Sequence, residues 1–163
     1  MKKITLSLIK YSDFLGKLVT TICHGGYNHV SISLDEKVFY SFNYKGFAIE
    51  EANYKNQKTK VYENMRIQIY VPNKIFNILK NDIYQFINNK ELFSYTRAGL
   101  ILCFLHIPHK FKNKYFCSQF VMELISNAGI VNPKRKASCY LPNHFVNNVE
   151  YLFPINKSIQ YIS

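Results

Sequence analysis

Two residues stand where a thiol nucleophile and its base would be expected, Cys117 and His29. Such a thiol needs a base within hydrogen-bond reach, and the base needs a third group to fix its ring. Cys117 opens an i, i+3, i+4, i+7, i+8 apolar series with Phe120, Val121, Leu124, Ile125 and Ala128, the buried stripe of an amphipathic helix. It therefore stands in the first helical turn, where unpaired N–H groups and partial positive charge favour a thiolate. His29 lies in Tyr27-Asn28-His29-Val30-Ser31-Ile32-Ser33-Leu34. This is a strand with Val30, Ile32 and Leu34 on one face and His29, Ser31 and Ser33 on the other. Asp35-Glu36-Lys37 makes a turn and 38–44 returns as a second strand. If Leu34 pairs with Val38, His29 faces Asn43 and Ser31 faces Ser41, so His29, Ser41 and Asn43 project together. A helix headed by Cys117 and packed across this sheet brings sulfur and imidazole together, with Ser41 or Asn43 to orient the ring. Alone, a helical cysteine is more often core and a strand-end histidine more often surface. The weight lies in the pair.

The other sulfur and imidazole groups offer less. Cys103, His106 and His109 are spaced by three, and Cys139 precedes His144 by five. Zinc asks for four ligands of compatible geometry, and Pro108 breaks the helical spacing between His106 and His109. No metal site is expected, and no sequence feature calls for a cofactor. Cys23-His24 reads as a helix end, because Gly25-Gly26 follows it directly. The four cysteines form no CxxC pair and lie in apolar surroundings, as reduced thiols do in a reducing compartment.

The elements that must position the pair are legible along the chain. Residues 3–10 alternate as a first strand, with Ile4, Leu6 and Leu8 on one face. Ser12 caps a short helix with the stripe Phe14, Leu15, Leu18, Val19, Ile22 and Cys23. Residues 47–52 continue the sheet, 53–60 form a polar loop, and 61–71 include another alternating strand. Pro72-Asn73 opens a helix with Ile75, Ile78, Leu79, Ile83, Phe86 and Ile87 as its stripe. Residues 96–105 read as a largely buried helix ending before Pro108, and 109–114 form a basic connector into the Cys117 helix. Gly129 supplies the left-handed C-terminal cap. Asn132-Pro133-Lys134-Arg135-Lys136 is a basic loop, Leu141-Pro142-Asn143 starts a helical turn, and the C-terminal segment adds a last strand. There is no internal repeat and no linker long enough to divide the chain, so a single α+β domain over 1–163 is expected.

Hydrophobic content of 48% and aromatic content of 16% suffice for a globular core and exclude a disordered chain. The formal net charge of +11 draws anionic partners, although abundant lysine on solvated faces has the same effect on the total. There is no arginine-rich helix, Gly-rich phosphate loop or specific nucleic-acid motif. Met1-Lys2-Lys3 resembles a signal n-region, but the apolar residues after it are few, alternating and soon followed by Lys10. The longest apolar run, 98–107, is too short to span a bilayer. A cytoplasmic protein without a transmembrane segment is expected.

The blocks Tyr27-Asn28-His29-Val30-Ser31-Ile32-Ser33-Leu34-Asp35 and Tyr115-Phe116-Cys117-Ser118-Gln119-Phe120-Val121, in the order His then Cys, carry a resemblance. So do Tyr40-Ser41-Phe42, Gly46-Phe47 and Ala128-Gly129-Ile130. The chain resembles the circularly permuted branch of the NlpC/P60 papain-like superfamily. It is similar in particular to YiiX-like proteins and, more distantly, to lecithin:retinol acyltransferase-like enzymes. The resemblance implies a permuted papain-like α+β fold, an antiparallel sheet packed on helices with the nucleophile at a helix N-terminus. It implies Cys117 as nucleophile and His29 as base, and by the acyltransferase-like offset it puts Ser41 in the third position, with Asn43 as rival. The implied chemistry is a thioacyl mechanism on a peptide or peptidoglycan-fragment amide. The alternatives are a lipid acyltransferase or thioesterase, or an inactive binding module on the same fold. The Cys117 backbone N–H is a natural oxyanion donor, and Tyr27 and Gln119 are candidates for a second.

Overall fold

The computed structural model describes residues 1–11, 25–52, 61–147, 152 and 160–162. The helix expected after Ser12, Cys23, and the loop expected over 53–60 lie outside the described residues. The described chain is α+β. Its elements are β1 (Lys2–Tyr11), β2 (His29–Ser33), β3 (Val38–Asn43), β4 (Gly46–Glu51), β5 (Val61–Val71), α1 (Asn73–Asn88), β6 (Ser94–Tyr95), α2 (Arg97–Phe104), β7 (Lys114–Tyr115), α3 (Cys117–Asn127), α4 (His144–Asn147) and β8 (Gln160–Ile162). Short 3-10 turns occupy Lys90–Leu92 and Ala137–Cys139.

Among the described residues, one sheet runs in the order β4-β3-β2-β1-β5-β8 with every neighbour antiparallel. Alternation along β1 puts Ile4, Leu6 and Leu8 on one face, and each is at most 1% exposed. They join Val30, Ile32, Phe42, Ile67 and Ile69 in the main core. α1 and α3 cover that face: α3 packs on β2 and β3, and α1 packs on β1 and α3. Phe42, Phe47, Phe86 and Phe120 meet at the join, with ring centroids 4.9–6.1 Å apart.

The opposite face is polar and small, yet also buried. Thr5, Ser7, Ser31, Ser33 and Ser41 are each at most 4% exposed. Arg66 of β5 reaches across this face to the Phe39 ring of β3, 5.6 Å from its centroid, with β1 and β2 between them. Glu36, in the β2–β3 turn, folds over the same face and accepts from Lys3 Nζ at 2.6 Å, Thr5 Oγ1 at 2.9 Å and Gln68 Nε2 at 2.6 Å. Those donors hold its carboxyl below its ordinary range despite the opposing effect of burial.

The expected hairpin register is present where the strands pair: Ile32 opposes Tyr40 and Ser33 opposes Phe39. One expectation is overturned. The helix read over 96–105 as largely buried runs over Arg97–Phe104 and buries only Gly99, Leu100 and Cys103. Ile101, Phe104 and Leu105 are exposed by 40–56%. An apolar residue run shows no preferred side, and only the side carrying Gly99 and Cys103 is slim enough to lie against its neighbours.

Candidate active site

The site is built around two ends of chain. α3 begins at Cys117 after an extended Phe116, whose side chain supplies no cap. A phenyl ring cannot accept from the first N–H groups, so the start of α3 keeps the unsatisfied donors of a helix terminus. Phe116 instead fills a small second core with Leu100 and Cys103 and is fully buried. Ahead of it, Tyr115 pairs with Tyr95 in a short parallel ribbon, β6 with β7. Gly129 caps the far end of α3 with φ +74°: its N–H reaches Ser126 O and the Ile130 N–H reaches Ile125 O. That is the Schellman arrangement expected of glycine at this position.

The second end is the start of β2. Gly25 and Gly26 have φ +98° and +81°, a turn that disfavours any residue with a Cβ. Asn143 clamps it: Tyr27 N–H donates to Asn143 Oδ1 at 2.7 Å, and Asn143 Nδ2 donates to Gly25 O at 2.6 Å. A Cβ on Gly26 would overlap the Asn143 amide. Asn28 then ties β2 to the end of β1, donating to Tyr11 O at 2.8 Å and accepting from Tyr11 N–H at 2.9 Å. The Tyr11 ring lies 5.5 Å from that of His29.

Held this way, the His29 ring meets two groups. Its Nε2 lies 3.4 Å from Glu50 Oε2, and the Cys117 thiol interacts with the ring as well. Burial by itself lowers the His29 pKa, but the Glu50 carboxylate and the Cys117 sulfur outweigh it and push the value up to about 10. Glu50 responds in kind. Burial raises its pKa, His29 lowers it, and the net shift is downward. Both results describe an imidazolium paired with a carboxylate, with the sulfur on the same ring. The geometry at Nε2 falls short of a hydrogen bond. It is one of three buried polar side-chain atoms without such a partner among the described residues, with Ser31 Oγ and Ser118 Oγ. All three belong to Cys117, His29 or their immediate surroundings, on the same face or next in chain.

The structure thus brings Cys117 and His29 together and gives the third contact to Glu50. Ser41, expected to orient the ring, is fully buried and donates to Val30 O at 2.7 Å. It fills the place where the β2–β3 ladder has stopped. Asn43 Oδ1 accepts from Lys45 N–H at 2.9 Å and serves the β3–β4 turn. Glu50 is hard to anticipate. It lies level with Ser33 through Phe39, two strands across and four residues along from His29. On a flat sheet that is roughly 17 Å between Cα atoms, so only the curl of the sheet lets the side chains meet. Tyr95 is a second neighbour that the sequence does not announce. Burial and the Cys117 sulfur push its hydroxyl up, against an opposing effect from Arg97. Of the candidate second oxyanion donors, Gln119 Nε2 gives one of its two N–H groups to Glu123 Oε1 at 3.2 Å, and the Tyr27 backbone N–H is taken by Asn143.

Cys103, Cys117 and Cys139 are buried. Among the described residues, no group of three or more His, Cys, Asp or Glu side chains is placed to hold a metal ion. Among the described residues, no helix is long and apolar enough to cross a membrane. Two surface grooves of about 220 and 300 Å³ share Lys110, Glu123 and Asn127 in their walls, and neither is lined by Cys117 or His29.

These features define an α+β protein with an antiparallel sheet and a buried cysteine and histidine clustered with a partly exposed glutamate. No protein-family model matches the chain, and no curated protein matches it.

Proposed function

We propose that the chain is a cysteine hydrolase on a circularly permuted papain-like fold, cleaving an amide bond in a peptide or peptidoglycan fragment. The observation that carries this reading is one ring, His29, facing both the thiol of Cys117 and the carboxylate of Glu50. Cys117 is the nucleophile, His29 the proton carrier and Glu50 the positioning residue, in place of Ser41. The reaction begins when Cys117 Sγ bonds to the carbonyl carbon. The oxygen becomes an oxyanion facing the uncapped N–H groups at the start of α3. The C–N bond then breaks, and the His29 imidazolium gives its proton to the departing nitrogen. Water attacks the thioester and passes a proton to His29. The C–S bond breaks, releasing the acid and restoring thiolate and imidazolium. With Nε2 turned to Glu50, Nδ1 is the nitrogen left to serve the sulfur.

Iodoacetamide at neutral pH is expected to modify Cys117 ahead of Cys103 and Cys139. The His29→Ala variant should slow that reaction on the order of 100-fold. Equal labelling rates in the two proteins, read by peptide mass mapping, would overturn the activated thiol. A second reading keeps the same site but makes it a lipid acyltransferase or thioesterase. It draws on the exposed apolar side of α2. Fatty acid released from phospholipid by the native chain, and not by Cys117→Ala, would select it over a peptidase.

A further inference from the structure

The most unusual surface of the molecule lies behind Phe116. Ile101, Phe104, Leu105 and Ile107 fall within seven positions and are 56%, 40%, 55% and 48% exposed. Leu100 and Cys103, on the other side of α2, pack on Phe116. The exposed group is rigidly presented. His106 takes φ +59°, its N–H reaches Cys103 O at 3.0 Å, and the Ile107 N–H reaches Leu102 O at 2.9 Å. That is a complete Schellman turn, closed behind by Pro108. An apolar tip built on a helix end and fixed by its own hydrogen bonds is a surface waiting for a partner.

The charges around it say which one. No acidic residue occurs between Glu91 and Glu123, while Arg97, Lys110, Lys112 and Lys114 are all exposed. Lys110 is paired with Glu123 at 2.7 Å. Arg97, Lys112 and Lys114 have no ion-pair partner among the described residues. The 3-10 turn Ala137–Cys139 packs on α2, and the exposed Arg135 and Lys136 just before it line one groove with Lys110. Apolar side chains set in a rim where cations outnumber the one paired carboxylate, Glu123, match an interface with acyl chains below and anionic headgroups around them. A protein partner of ordinary surface composition would not need a rim so rich in cations.

We propose that the α2 tip, Ile101, Phe104, Leu105 and Ile107 with its lysine and arginine rim, docks on the surface of an anionic lipid bilayer. The chain lies on the membrane without crossing it. Because α2 rests on Phe116, the residue before Cys117, docking holds the cluster of Cys117, His29 and Glu50 close to the lipid surface. The docking itself does not rest on the hydrolase reading.

The test is co-sedimentation of the full chain with vesicles of phosphatidylglycerol and phosphatidylcholine, or of phosphatidylcholine alone, at low and high salt. Binding is expected to the anionic vesicles, to weaken with salt, and to fall at least about tenfold on neutral ones. Leu105→Glu, at an exposed position that should leave the melting temperature unchanged, should abolish sedimentation. Lys112→Gln and Lys114→Gln should each weaken binding by roughly fivefold. Cys117→Ala should bind as the native chain does, whatever becomes of the hydrolase reading. No binding to either vesicle, or equal binding by Leu105→Glu, would overturn the proposal. So would a concentration-dependent dimer in light scattering that Leu105→Glu abolishes while vesicles are ignored, since a second copy would then be the occupant.

Discussion

Two helices start side by side from the same short ribbon and are finished in opposite ways. Tyr95 pairs with Tyr115, and two residues after each tyrosine a helix begins, α2 at Arg97 and α3 at Cys117. Thr96, the residue before α2, accepts from Gly99 N–H at 2.9 Å and caps the helix. Phe116, at the equivalent place before α3, has no such group. At the other end the inequality reverses. α3 closes on Gly129, the residue suited to a left-handed conformation, and α2 closes on His106 in the same conformation. α2 thus has a satisfied start and a strained finish on a non-glycine residue; α3 has an open start and a relaxed finish on glycine. An open helix start among buried groups is a destabilising feature. It coincides with the place where Cys117 meets His29.

Several substitutions can break or sharpen that contrast. Phe116→Ala empties a fully buried site between the two helices, and a loss of about 3–5 kcal/mol in urea unfolding is expected. A much smaller loss would mean that the second core does not anchor the start of α3. Next in size is a pH effect. The His29 pKa is raised from 6.5 to about 10, so the stabilisation it brings is complete below pH 6.5 and is lost as pH rises through about 10. Glu50 is shifted downward from 4.5, so its share is present above that pH and is lost in acid. Glu50→Gln should therefore flatten the fall in stability between neutral and strongly alkaline pH, as measured by unfolding midpoints across the range. Parallel curves for the two proteins would remove Glu50 from the site. Thr96→Ala deletes the cap of α2 and should destabilise the chain by about 1 kcal/mol, without changing the alkylation rate of Cys117. A changed rate would show that the two helix starts are not independent. Smallest of all, His106→Gly should raise stability by up to roughly 1 kcal/mol, by relieving a side chain at positive φ.

Much of this architecture was readable from residue spacing. The i, i+3, i+4 series gave α3 with Cys117 at its head, and alternation gave β1 and β2. The three-residue turn gave the pairing of Ile32 with Tyr40, because a two-fold side-chain period leaves few registers that keep Val30 and Ile32 inside. What escaped was set by curvature and by competition for surface. Pairing rules see the adjacent strand, so they offered Ser41 and Asn43 to His29. Glu50 arrives from the strand beyond through the coiling of the whole sheet. The serines and threonines of β1, β2 and β3 resemble a solvated face, yet they are buried. For α2 the run Leu100-Ile101-Leu102-Cys103-Phe104-Leu105 is apolar on every side, so its pattern does not tell which side is covered.

The Asn143 clamp has a consequence for the order in which the molecule comes together. The hairpin that carries His29 is local and able to form early, but the turn before His29 is gripped by a residue 116–118 positions away. Closing so long a loop belongs among the late and slow events of folding. A nascent chain can therefore hold strands β1 to β5 and its cysteine helix before its histidine is locked in place. The setting of His29 thus depends on Asn143, a residue that follows the cysteine helix in the chain.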